Sequence, residues 1–256
     1  MADWNSTQYL KFKKERTQPS KDLISRIELD NPNKILDIGC GPGNSTYELK
    51  QRWPNAHICG IDNSKDMIDT AKKTCNDIDF LLLDASRDLN SLNEHYDIVF
   101  SNACLQWMPN HNKLLGEMMG LLTDSGILAV QIPMNYNEPI HKLIKEVIHR
   151  ETWADLLPYE REIDNLSKEE YFGLLADITS DFELWETIYM HRMPSHEAIL
   201  EWYRGTGLRP YLNQLDEKFH NDFENDILEL IKERYSIQKN GEIIFKFARF
   251  FFIGKK

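Results

Sequence analysis

Three aspartates and three glycines carry the most legible chemistry in this chain. Residues 35–43 read ILDIGCGPG: an apolar run holding Asp37, then Gly39, Gly41 and Gly43 in a G-x-G-x-G spacing. Two further apolar runs, HICGID and IDFLLLD, close on Asp62 and Asp84. Glycine lacks a Cβ, so such a loop turns sharply and lets a ligand lie against its peptide groups. A dinucleotide fingerprint needs its third glycine at position 44, which is Asn44, and no Walker lysine follows. Acids beside the loop repel a pyrophosphate and favour a cationic ligand, and an acid ending the second strand suits ribose hydroxyls. Taken singly, each aspartate serves equally well as a helix cap or turn former. The set, at three successive strand ends beside the glycines, points to a cofactor site.

The elements that would position these residues alternate. KILDIG (34–39), HICGID (57–62), IDFLLLD (78–84), YDIVFSN (96–102) and GILAVQI (126–132) read as buried strands. NSTYELKQRW (44–53), stopped by Pro54, SKDMIDTAKKT (64–74), opened by a Ser cap, and KLLGEMMGLL (113–122) read as helices. Continuous apolar strands alternating with helices predict an α/β fold with a parallel sheet covered on both faces. The second half is mostly helical over 138–175 and 195–235, with strands expected at 182–193 and 242–254. The expected organisation is an N-terminal helical arm (1–30), a core (31–134), a helical cap (135–241) interleaved with the late strand, and a final core strand (242–256).

Composition narrows the partners. With 256 residues, 41% of them apolar, the chain can bury a full core. Its net charge of −11 disfavours nucleic acid and anionic membrane surfaces. Cys40, Cys59, Cys75 and Cys104 form no C-x-x-C pair, so free thiols in a reducing compartment are expected, with no metal site. The polar N-terminus and the shortness of the longest apolar stretch, FARFFFIG, lead to the expectation of a cytoplasmic protein acting on a small molecule.

LDIGCGPGNST, GID, LLLDA and YDIVFSNACLQW together resemble the signature of class I S-adenosylmethionine-dependent methyltransferases. The resemblance implies a Rossmann-like fold with a mostly parallel seven-stranded sheet, and S-adenosylmethionine on the glycine loop. It implies that Asp37, Gly39, Gly41 and Gly43 face the methionine part, Asp62 the ribose, Asp84 and Ala85 the adenine, and that Asn102 lies near the reacting methyl. DWNSTQYLKFKKERTQP (3–19), SNACLQWMPNH (101–111), GILAVQIPMNYNEPIH (126–141) and WYRGTGLRPYL (202–212) resemble the trans-aconitate 2-methyltransferase family, which makes a monomethyl ester of a tricarboxylate. Gln18 and Met134 depart from that family's pattern, where an Arg and an Asp are usual.

A carboxylate acceptor is already ionised at pH 7, so it needs donors to hold it and no general base. No catalytic residue is therefore assigned; positioning suffices. Arginine's bidentate fork fits the task, and Arg209 in GTGLRPYL is the first candidate clamp. Arg16 and Tyr9 on the arm, Gln106 and Trp107 after the fourth strand, and Asn135 and Tyr136 after the fifth complete the expected substrate set. Trp107 suits either a cation–π wall for a sulfonium or core packing. Cys104 reads as packing, Trp202 as the anchor of the cap, and His141, His191 and His196 are not assigned as bases. Two alternatives stay open: another carboxyl acceptor, such as a fatty acid or a malonyl thioester, and a protein that binds S-adenosylmethionine without turnover.

Overall fold

A computed structural model describes residues 13–160 and 165–256. In chain order the elements are α1 (Lys13–Ser25), β1 (Lys34–Ile38), α2 (Asn44–Arg52), β2 (His57–Asp62), α3 (Lys65–Thr74), β3 (Asp79–Leu82), α4 (Ala85–Asp88), β4 (Tyr96–Asn102), α5 (His111–Gly120) and β5 (Leu122–Pro133). There follow α6 (Pro139–Ile148), α7 (Glu151–Ala154), α8 (Lys168–Ile178), β6 (Asp181–Met193), α9 (His196–Arg204), α10 (Arg209–Leu212), α11 (Glu217–Arg234) and β7 (Ile243–Lys255).

The seven strands form one sheet in the order β3-β2-β1-β4-β5-β7-β6. β1 pairs in parallel with β2 and with β4, β2 with β3, and β4 with β5, whereas β7 runs antiparallel to β5. The order reverses beside β1, and open α/β sheets bind ligands at that switch point, outside the carboxyl ends of the strands. Local chemistry sets the element ends. Ser64 caps α3 by accepting from the Met67 N–H. Met67, Ile68 and Ala71 are the buried face of α3, as their spacing predicts. Ser167 and Glu170 build a full capping box on α8.

The described residues fall into two compact units, 13–133 with 165–187 and 249–256, and 134–160 with 188–248. The first holds most of the sheet. In it α1 packs on α2 and β5, and α8 lays Tyr171 against Phe250 and Phe252 with ring centroids 5.6 and 5.7 Å away. The division differs from the expected one. Helix α8 belongs with the core, because Tyr171 and Leu175 bury completely there, and the boundaries cut through β6 and β7 rather than at their ends. In the second unit α11 packs on α6 and α9. Trp202 is 2% exposed and anchors this unit as expected, meeting Phe247 at 5.7 Å. Arg204 grips Glu224 through Nε and Nη2 at 2.7 Å each, and also Glu201, so it serves the scaffold.

Candidate functional site

The glycine loop is built around a buried carboxylate. Asp37 lies in β1 between Gly60 of β2 and Phe100 of β4, with no exposed surface. Its Oδ2 accepts from the Ser45 hydroxyl at 2.8 Å and the Thr46 hydroxyl at 2.7 Å, both in the first turn of α2. Its Oδ1 is buried and accepts no hydrogen bond from the described residues. Burial pushes the Asp37 pKa from 3.8 up to about 6, against the opposing pull of the Thr46 and Ser45 hydrogen bonds. A carboxylate in that state wants a cation or a donor on its bare oxygen. Ser45 and Thr46 were not singled out as site residues in the sequence. Their signal is a hydroxyl pair at the start of the helix after the loop, eight and nine residues beyond an in-strand aspartate.

The loop itself runs with φ of 73°, 54° and 89° at Gly39, Gly41 and Gly43. The Gly39 and Cys40 N–H groups both donate to the Ile61 carbonyl, at 2.8 and 3.0 Å. At Gly39 a Cβ would sit 2.0 Å from Cys104 Sγ, so the loop is pressed onto the turn after β4. At Gly41 a Cβ would meet no atom of the described residues within 4 Å, so that side of its Cα is open among them. A bare buried acid beside an open glycine cradle fits a cationic cofactor such as S-adenosylmethionine.

Asp62 has a task within the protein. Its Oδ2 accepts from the Gly41 N–H at 3.0 Å and its Oδ1 from the Ser64 N–H at 2.8 Å. Burial raises its pKa, and backbone N–H donors, Ser64 first, oppose that rise. Asp62 therefore ties the loop to the start of α3. Asp62→Ala is expected to lower both cofactor affinity and melting temperature, since each lost bond leaves a part-buried N–H short of its acceptor, at about 1 kcal/mol each. Calorimetric titration with S-adenosylhomocysteine alongside a thermal melt checks this; an unchanged melt would remove the loop-tying role.

Asp84 acts as a helix cap. Its Oδ1 accepts from the Ser86 N–H at 3.1 Å and the Ser86 hydroxyl at 2.6 Å, with Ala85 buried as the first residue of α4. Asn102 ends β4 with a buried Oδ1 that has no partner among the described residues. The turn beyond it is tightly held. Ala103, at φ 54°, donates its N–H to the Gln131 carbonyl at 2.9 Å. The buried Gln106 amide donates to the Ala103 carbonyl at 2.6 Å, and its Oε1 has no donor among the described residues. His111 clamps the same turn: Nε2 bonds the Leu105 and Met108 carbonyls at 2.9 Å each, and Nδ1 bonds the Tyr171 hydroxyl. That clamp joins residues 60 apart, beyond the reach of sequence pattern. Trp107 is 38% exposed, which decides against core packing for it. Arg16, in α1, is buried. Tyr9 lies outside the described residues.

In the second unit the buried Asn135 donates from Nδ2 to the Tyr203 hydroxyl at 2.8 Å, and that hydroxyl bonds His141 Nε2 at 3.0 Å. Tyr136 presents a T-shaped ring contact to His141 at 5.7 Å. Asn135 and Tyr136 thus come together with a tyrosine and a histidine not assigned from the sequence. Arg209 is half-buried and opens α10. His191 packs on Trp202 at 4.9 Å and His196 bonds the Tyr235 carbonyl at 2.7 Å, so both are structural. All four cysteines are free thiols, and burial raises the pKa of Cys104 well above its ordinary value, against nucleophilic use. Among the described residues no group of three or more His, Cys, Asp or Glu could hold a metal ion, and no helix is long and apolar enough to cross a membrane.

Comparison with known proteins agrees with this arrangement. Residues 35–126 match the model of a methyltransferase domain. Among solved structures, the YcgJ protein from Bacillus subtilis superposes with a TM-score of 0.61 at 16% identity, covering 93% of this chain and 98% of that one, a likeness of fold. The trans-aconitate 2-methyltransferase of Escherichia coli O157:H7 (strain EC4115 / EHEC) is 39% identical over 256 residues, covering all of this chain and 99% of that relative. The trans-aconitate 2-methyltransferase of Enterobacter sp. (strain 638) is 40% identical over 263 residues, with the same coverage. Related from end to end at this level, the chain belongs to the trans-aconitate 2-methyltransferase family.

Proposed function

We propose that the protein uses S-adenosylmethionine to esterify one carboxylate of a small polycarboxylic acid, trans-aconitate first among them. The observation that carries this reading is the bare, fully buried Oδ1 of Asp37 beside the open peptide of Gly41, in a chain related over its full length to that family. S-adenosylmethionine supplies an electrophilic methyl on a sulfonium. Asp37 with Gly39, Gly41 and Gly43 holds its methionine end. Asp62 holds the ribose, Asp84 and Ala85 flank the adenine, and Asn102 ends the strand nearest the transferred group.

An ionised carboxylate needs no base, and none of the histidines is assigned as one. The protein's contribution is alignment, together with exclusion of water from the reacting pair. Arg209, Arg16, Tyr9, Gln106, Trp107, Asn135 and Tyr136 are the residues assigned to the acid. The free thiols suit a reducing cytoplasm.

Transfer of label from S-adenosylmethionine to trans-aconitate, cis-aconitate, citrate, isocitrate and a medium-chain fatty acid tests the reading. A base-labile ester forming fastest on trans-aconitate is expected. Preference for another acid would move the substrate assignment to Gln18 and Met134, and no ester on any acid would overturn it. Arg209→Ala is expected to raise the KM for the acid by about 10- to 100-fold with little change for cofactor, the scale of a lost hydrogen bond to a charged group. A normal KM would return Arg209 to a scaffold role.

A further inference from the structure

The second glycine of GTGLRPYL is shaped by one side chain. Tyr203 lies in the last turn of α9 and is buried. Its carbonyl accepts from the Thr206 N–H at 3.0 Å and the Leu208 N–H at 2.9 Å. A Cβ on Gly207 would sit 2.4 Å from Tyr203 Cδ1 and 2.9 Å from Cε1, so the turn between α9 and α10 lies flush on the tyrosine ring. Any larger residue there displaces the ring or the turn. The ring also makes edge-on contacts with Phe245 at 6.0 Å and His141 at 5.5 Å. The turn that it shapes ends at Arg209, the first residue of α10.

The far end of the same side chain reaches Asn135. The buried Asn135 amide donates from Nδ2 to the Tyr203 hydroxyl at 2.8 Å, and that hydroxyl bonds His141 Nε2 at 3.0 Å. The χ2 torsion of an asparagine is broad, so an untethered amide samples many directions. An amide nitrogen carries two N–H groups. Tethering one of them to a hydroxyl that is itself held by His141 fixes the amide plane and the direction of the other. A carboxylate only accepts, so a donor already aimed is what it needs, and the ordering cost is met before it binds.

We propose that Tyr203 is a positioning residue for the acceptor acid: its hydroxyl aims the Asn135 amide, while its ring and carbonyl set the turn that leads to Arg209. Tyr203 acts through these two residues and makes no contact with the acid itself. This rests on the polycarboxylate reading above, in which Asn135 and Arg209 hold the acid. One buried side chain then couples two donors from distant parts of the sequence, and Gly207 leaves the room that the coupling needs.

A double-mutant cycle on the full chain tests it, with Tyr203→Phe, Asn135→Ala and the pair together. Tyr203→Phe removes one oxygen and keeps the ring. It is expected to raise the KM for trans-aconitate by about 3- to 10-fold with kcat within about threefold, and to leave the Kd for S-adenosylhomocysteine within about twofold. In the Asn135→Ala background the same change should add less than about twofold to KM, because the residue it acts through is gone. Should Tyr203→Phe fail to fold, His141→Leu, which releases the same hydroxyl from its other side, takes its place in the cycle. An unchanged KM in the single variant overturns the proposal. So does an equal rise in KM in both backgrounds, or a loss of S-adenosylhomocysteine affinity in step with KM, either of which would make Tyr203 part of the scaffold alone. A wild-type protein that esterifies none of the acids fails the polycarboxylate reading itself, and the positioning role falls with it.

Discussion

Gly39→Ala is expected to abolish methyl transfer and to destabilise the protein by about 2–5 kcal/mol, the sum of a left-handed penalty and overpacking. The new methyl would meet Cys104 at 2.0 Å from Sγ and 2.4 Å from Cβ, distances that real Cβ atoms essentially never show, and φ at this residue is +73°. Relief requires Gly39 to withdraw, which breaks the bonds that it and Cys40 make to the Ile61 carbonyl. Cys104→Gly in the same chain removes the clashing atoms and should restore part of the lost stability. What remains is the dihedral cost. Gly41→Ala makes the contrast. Its φ is +54° and nothing lies within 4 Å of the added methyl, so the fold loses only about 1 kcal/mol, a shift of about 2–4 °C in melting temperature for a chain of this size. Cofactor affinity should nevertheless collapse, because the methyl enters the space where the ligand lies. Melting curves with and without S-adenosylhomocysteine separate the two. Wild-type affinity in Gly41→Ala would mean that no ligand rests on this loop.

S-adenosylmethionine affinity should rise with pH through about 6 and then level off, and Asp37→Asn should flatten that profile. The Asp37 carboxyl titrates near 6 in the folded protein, against an ordinary 3.8, chiefly because it is buried. Between those values the folded state binds more protons than the unfolded state. The free protein therefore loses stability as pH rises from about 4 to 6, by up to a few kcal/mol from this group. A cationic ligand reverses the preference, since it stabilises the ionised form and draws the pKa back down. Binding below pH 6 should then release a proton, measurable as a buffer-dependent enthalpy in calorimetry. In Asp37→Asn the amide oxygen still accepts from Ser45 and Thr46, but the charge is gone, so affinity at pH 8 is expected to fall by about tenfold or more. Equal affinity at pH 5 and pH 8 in the wild type would remove Asp37 from the cofactor site.

Much of the site is legible along the chain because its parts are local or periodic. The G-x-G-x-G spacing, the aspartates ending HICGID and IDFLLLD, and Ser64 at the start of α3 each lie within a few residues of what they shape. The alternation of strands and helices follows from where apolar residues recur, whereas the sheet order, with β4 beside β1 and β7 between β5 and β6, is not set by connection length alone. Even so, local pattern left two readings for several residues. Asp84 caps α4 whatever else it holds, and Asp62 proves to tie Gly41 in place, because an acceptor at a strand end bonds the nearest free N–H.

The sequence by itself determined the α/β alternation, the glycine loop, the cationic character its acids demand and the packing role of Trp202. Only the tertiary structure decided that Trp107 is partly exposed, that α8 belongs with the core, that His111 and Tyr171 clamp the turn after β4, and that Arg249 meets Gln131 across 118 residues. Helix periodicity and loop chemistry act over a few residues. A buried polar pair forms where antiparallel pairing of β5 with β7 brings two distant strands into register, and no spacing along the chain records that meeting.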